Sequence, residues 1–101
     1  MAKTPEAKVK DKVVKILKAH GVYYFYPVTG GYGGSGVPDI ICCHKGHFIG
    51  IECKSGRNKP TKLQELNITR IRQSGGMALV INEDNIDEVL EALGAVPDAT
   101  D

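Results

Sequence analysis

Asp39 and the run Glu52-Cys53-Lys54 are the residues of this chain best suited to chemistry. They lie in two apolar stretches, Val37 to Cys43 and His47 to Lys54, which flank Lys45-Gly46 and read as the arms of a hairpin. A turn centred on Lys45-Gly46 sets His44 opposite His47 and Asp39 opposite Glu52. Opposed side chains leave the same face of a sheet, with Cβ atoms roughly 4.5–5.5 Å apart. Lys54 lies two residues past Glu52, so it returns to that face as a diagonal neighbour of Asp39. Two carboxylates this close repel unless something cationic separates them. A hard divalent ion such as Mg²⁺ takes carboxylate oxygen as ligand. It polarises a phosphoryl oxygen and acidifies bound water. Lys54 would orient that water or stabilise charge on the phosphate under attack. The main-chain carbonyl of Cys53 is a further oxygen donor, since its own side chain points to the opposite face. Strand charges more commonly form solvated surface clusters. Here Ile40, Ile41, Ile49 and Ile51 make both strands strongly apolar, and an acid–acid–base cluster inside such a sheet needs a reason.

The elements that must hold these residues are legible in outline. Thr4-Pro5-Glu6 reads as a helix start, with Thr4 as cap, Pro5 in the first turn and Glu6 at the positive end of the dipole. Val9, Val13, Ile16 and Leu17 recur at helical spacing until Gly21 stops the helix. Val22 to Val28 is aromatic and β-branched and predicts a strand. Thr29 to Gly36 holds five glycines in eight residues and reads as a mobile loop. It lacks the Lys-Ser/Thr ending of a P-loop, so no nucleotide cofactor is expected. Past the hairpin, Ser55 to Lys59 is a polar loop. Pro60-Thr61 opens a helix that ends at Gly75-Gly76. Met77 to Ile81 is a short strand, and Asn82 to Asn85 supplies caps for a last helix through Leu93. The order is α-β-β-β-α-β-α, with residues 1–93 forming one domain and 94–101 a frayed acidic tail.

Charge points toward a polyanion. The chain of 101 residues has a net charge of +1, but all 13 Lys and Arg fall in residues 1–72. Residues 1–81 set those 13 against five acids, a net +8, while residues 82–101 carry seven acids and no base. A basic body suits nucleic acid. No apolar run approaches the roughly 20 residues needed to span a bilayer, and Met1 to Lys12 is too charged for a signal peptide. A cytoplasmic location, in a bacterium or a phage-infected cell, is the expectation, with no membrane partner. Cys42, Cys43 and Cys53 are an odd number and read as reduced, buried thiols. Together with His44 and His47 they suggest zinc, but Cys42 and Cys43 point to opposite faces of a strand and no Cys-x-x-Cys pair exists. A Cys-His nucleophile lacks anything to build an oxyanion hole. Tyr23, Tyr24 and Tyr26 read as strand and interface residues, and Tyr32, flanked by glycines, as a DNA contact.

Gly36-Val37-Pro38-Asp39, then twelve residues, then Glu52-Cys53-Lys54, resembles the PD-(D/E)XK nuclease superfamily. With Gln64 downstream it more closely resembles the virus-type replication-repair nuclease (VRR-NUC) family in its stand-alone form, over roughly residues 4–93. The resemblance implies an α/β, restriction-endonuclease-like α-β-β-β-α-β core, its mixed sheet flanked by helices, with a short C-terminal helix. It implies that Asp39 and Glu52 bind Mg²⁺ or Mn²⁺ and that Lys54 is the catalytic lysine. Glu6 would match the acid on the first helix that joins the metal site. Gln64 would match the glutamine of the following helix, as a catalytic residue or as a partner of the site lysine. Such proteins act as homodimers on branched DNA such as Holliday junctions. Tyr32, Ser35, Arg57, Lys59, Lys62 and Arg70 are the candidate DNA contacts. Two alternatives share the fold: a sequence- or lesion-directed nuclease, and a catalytically idle DNA-binding module.

Overall fold

The computed structural model describes residues 3–28 and 36–96. Seven elements follow in order: α1 (Pro5–Ala19), β1 (Tyr23–Phe25), β2 (Ile40–His44), β3 (His47–Cys53), α2 (Lys62–Gln73), β4 (Met77–Ile81) and α3 (Asp87–Ala95). The α/β class and the element order agree with the sequence reading.

Local chemistry sets the helix ends. Thr4 accepts a hydrogen bond from the Ala7 N–H, and Pro5 sits in the first turn of α1, where no main-chain donor is missed. At the other end the Val22 N–H returns to the Leu17 carbonyl, with Gly21 at φ +65° making the reversal. Thr61 and Gln64 form a reciprocal capping box at the start of α2. The expected Asn caps of α3 do something else. Asn82 and Asn85 close the preceding turn, where the Asn82 N–H donates to the Asn85 side chain and the Asp84 N–H to the Asn82 side chain. α3 itself starts without a side-chain cap and runs through Ala95, and Val96 is buried.

The four strands form one sheet in the order β1-β2-β3-β4, antiparallel except for the parallel β3/β4 pair. The hairpin turn has φ +52° at Lys45 and +83° at Gly46, the two positive angles of a type I′ turn. It fixes the register His44↔His47 through Ile40↔Ile51. The first strand is shorter than expected, three residues instead of Val22 to Val28. Its register pairs Phe25 with Ile41, so a longer ladder would bring Pro27 against Asp39. Pro27 has no N–H to give, and the ladder stops before it.

Side chains alternate between two layers. Ile40, Cys42, Ile49, Ile51, Cys53 and Ile81 point into a core closed by Val9, Val13 and Leu17 of α1 and by Val89 and Leu93 of α3. The opposite face carries Ile41, Gly50 and Ala78, and α2 lies there as the crossover from β3 to β4. Gly50 makes that seat possible. A Cβ at this position would stand 2.9 Å from Pro38 Cγ and 3.1 Å from Ile71 Cδ1. Gly50→Val is therefore expected to cost about 1–3 kcal/mol of stability through overpacking, read as a lower denaturation midpoint with an unchanged slope. A midpoint equal to that of the native chain would contradict this account of the α2 seat.

Candidate active site

The parity of the hairpin ladder places the acids. The Lys54 N–H donates to the Ile81 carbonyl at 2.9 Å, so even-numbered residues of β3 bond toward β4 and odd-numbered ones toward β2. The ladder ends at Ile40↔Ile51; continued one step it would set Asp39 against Glu52 as a pair without mutual main-chain bonds, the kind whose side chains lie closest. A further step would set Cys53 against Pro38. Pro38 has no N–H, so the Cys53 carbonyl receives no donor from it. The Cys53 N–H is taken by Asp39 Oδ2 at 2.9 Å. The ladder thus ends at the proline, and the Asp39 carboxylate takes the Cys53 N–H in place of a main-chain carbonyl.

Glu52 is the one buried charged residue among those described, 2% exposed. Its Oε2 accepts from Gln64 Nε2 at 2.9 Å and lies 3.4 Å from Lys54 Nζ. Its Oε1 is buried without a hydrogen-bond partner. Burial pushes the Glu52 carboxyl up to about 7, Asp39 adds to the rise, Lys54 opposes it, and Glu6 adds a smaller upward push. An unpartnered buried carboxylate oxygen that also feels the charge of a second carboxylate suits a hard cation.

Gln64 is fixed by its own helix. Its Oε1 accepts from the Thr61 N–H at 2.9 Å, and the Thr61 hydroxyl accepts from the Gln64 N–H at 3.2 Å. A backbone N–H can only donate, so the amide nitrogen must face Glu52. Glutamate, the other residue of capping boxes, would here place a third carboxylate against Glu52. Gln64 is thus held by Thr61 and bonded to Glu52, where the site lysine was the partner weighed from sequence. The Thr-x-x-Gln spacing was the signal for this.

The remaining expected residues are spread out. Glu6 is half-buried in the first turn of α1 and acts on Glu52 and Cys53 through charge. Among the described residues no three His, Cys, Asp or Glu side chains stand together as a ready set of metal ligands. Arg57 and Lys59 are exposed on the loop that follows β3, and Lys62 is exposed at the first residue of α2. Arg70 lies elsewhere, lining a groove of about 450 Å³ with Phe48, Asn67 and Ile71. Tyr32 and Ser35 lie outside the described residues. Lys10, not singled out in the sequence, sits 4.3 Å from the centre of the Tyr26 ring and opposes the upward push on the Cys53 thiol. Burial pushes that thiol up to about 12, with Asp39 and Glu52 adding, and it pushes Cys42 up to about 11. Both stay protonated at neutral pH, which disfavours thiolate chemistry. Cys43, expected buried, is exposed.

Residues 6–86 match the protein family described as archaeal Holliday junction resolvase (hjc). The chain is similar to a provisionally named nuclease, p44 of Acyrthosiphon pisum secondary endosymbiont phage 1, with 28% identity over 85 residues, 83% of this chain and 88% of that protein. Among solved structures, one described as a VRR-NUC domain superposes with a TM-score of 0.76 at 24% identity, covering 88% of this chain and 97% of the other. A VRR-NUC domain protein gives 0.72 at 20% identity, covering 96% and 93%. At these identities the superpositions speak for the fold.

Proposed function

The chain belongs to the archaeal Holliday junction resolvase family, and from that membership we propose that it is a divalent-metal-dependent endonuclease that hydrolyses phosphodiester bonds in branched DNA, four-way junctions foremost. The observation that carries the reading is Glu52, a buried carboxylate with one unpartnered oxygen, set opposite Asp39 by the ladder continued one step and beside Lys54. Asp39, Glu52 and the Cys53 carbonyl would hold Mg²⁺ or Mn²⁺, with Glu6 contributing charge from α1. The bound ion would supply Lewis acidity toward a phosphoryl oxygen. The chain's own groups do the rest. Lys54 donates toward the phosphate as negative charge builds on its oxygens. Gln64, locked by Thr61, holds Glu52 in place. Arg57, Lys59 and Lys62 carry the electrostatic attraction for the backbone, with Tyr32, Ser35 and Arg70 as further contacts.

The same reading includes a homodimer. Tyr23 is 70%, Phe25 47% and Phe48 44% exposed. The registers put Tyr23 beside Cys43 and Cys43 beside Phe48, so these rings share the sheet face of Asp39 and Glu52, with Phe48 at the edge of the groove beside α2. Tyr24 points the other way and packs on the core. Exposed aromatic surface of this kind suits an interface. A two-fold dimer would present two sites to a four-way junction, in which two strands must be cut. Light scattering should give twice the chain mass of 10.9 kDa, and Phe25→Glu should halve it. Incubation with duplex, flap and four-way-junction DNA in Mg²⁺, Mn²⁺ or EDTA tests the activity. Paired cuts across the junction, absent in EDTA, are expected. Cleavage that persists in EDTA, or that ignores the junction, would refute the metal or the substrate respectively.

A further inference from the structure

Glu83 stands on the turn between β4 and α3, in the acidic part of the chain and away from the carboxylates described above. The turn is closed by its neighbours: Asn85 Nδ2 donates to the Val80 carbonyl at 2.9 Å, and the Asn82 N–H to Asn85 Oδ1 at 2.7 Å. From this base the Glu83 carboxylate reaches across to the loop that follows β3, where Oε1 accepts the Gly56 N–H at 2.9 Å. That loop otherwise holds itself. The Asn58 N–H returns to the Ser55 carbonyl at 3.1 Å, and the chain next becomes fixed at the Thr61 cap. Gly56 adopts φ +56° with open space around it, so packing does not set its position.

The loop carries Arg57 and Lys59 immediately past Lys54. An exposed acid so near these cations would by charge alone repel a phosphate backbone. Glu83 is ionised: its own backbone N–H and then that of Gly56 hold it below the usual carboxylate range, and Lys12 adds to this. On its other side it borders a cleft of about 370 Å³ shared with Lys8 and Lys12 of α1. We propose that Glu83 is a positioning residue for DNA, tethering the loop of Arg57 and Lys59 to the end of β4 so that these cations meet the backbone in one geometry relative to Lys54. This rests on the nuclease reading above. Ordering long side chains before binding removes part of the entropic cost that binding must otherwise meet.

The tether and the charge make opposite forecasts. Glu83→Gln keeps an oxygen that accepts the Gly56 N–H but loses the charge, whereas Glu83→Ala loses both. With four-way-junction DNA in Ca²⁺, E83A should raise Kd roughly tenfold, and in Mg²⁺ it should raise KM similarly with kcat within about twofold. E83Q should stay within about twofold of the native protein in all three. In the free protein, amide exchange at Gly56 should accelerate in E83A and stay slow in E83Q. Equal affinities for the two variants, or unchanged Gly56 exchange in E83A, would overturn the tether. A native protein that binds no DNA would overturn the nuclease reading and the DNA role with it, and Gly56 exchange separates that outcome from failure of the tether itself.

Discussion

Glu52→Gln should abolish metal-dependent cleavage while making the metal-free protein more stable above neutral pH. Asp39→Asn should abolish cleavage with the fold intact. The loss of activity is expected to be on the order of 10³-fold or more, because both the proposed ion and the charge it offsets depend on these acids. The stability gain follows from burial. The Glu52 carboxyl titrates at about 7 in the fold against an ordinary 4.5. Between those values the folded state holds a proton that the unfolded chain has released, so stability falls as pH rises through this window and stays low above it. At 1.36 kcal/mol per unit the cost at pH 8 is on the order of 3 kcal/mol. The E52Q side chain carries no charge to desolvate, and its amide oxygen can still accept from Gln64. In chelator, the native protein should lose stability from pH 4.5 to 7 and E52Q should not. Millimolar Mg²⁺ should then restore the native protein by binding the folded state and leave E52Q unmoved. For Asp39→Asn the amide oxygen still accepts the Cys53 N–H, so the end of the ladder is preserved. Undiminished cleavage by both variants would remove the metal-site assignment. A native protein whose stability is flat across that pH window would remove the account of Glu52.

Much of this site was readable because strand geometry is periodic. Once Lys45-Gly46 is taken as a two-residue turn, the facing of Asp39 and Glu52 follows by counting, and the observed register runs as counted from His44↔His47 to Ile40↔Ile51, one pair short of those acids. The helix start at Thr4-Pro5 and the α2 cap at Thr61 were likewise local, set by residues three or four apart. β1 stops before Pro27, which has no N–H to give to the strand beside it; that proline lies within Val22 to Val28, and the predicted strand ran through it. What else failed was what depends on a distant neighbour. Asn82 and Asn85 have the composition of helix caps, yet their side chains bond to the turn because Val80 offers a carbonyl there. Glu83 looks like one more acid of a solvated segment, and its partner Gly56 is 27 residues away.

Lys54→Ala should lower cleavage by about 10²–10³-fold, the scale of one lost electrostatic donor at a developing charge, while junction affinity measured in Ca²⁺ stays within about threefold. Two features separate Lys54 from the other cations. Its side chain is only 12% exposed, and its Nζ stands 3.4 Å from Glu52 Oε2, so it is directed into the site. Arg57, Lys59 and Lys62 are exposed, and attraction for the phosphate backbone is shared among all of them, so losing one contact costs little and leaves the salt dependence nearly unchanged. The variant should also shift its pH profile. Lys54 opposes the rise of the Glu52 carboxyl; without it Glu52 holds its proton to higher pH, and the residual activity should climb over a more alkaline range than that of the native protein. Lys54→Arg should restore the charge and with it the lower pH range, but only part of the rate, because a planar guanidinium cannot occupy the position of a compact ammonium. If binding falls in step with cleavage, Lys54 is chiefly a phosphate anchor. If the pH profile stays in place when the lysine is removed, its coupling to Glu52 is not what sets the ionisation of the site.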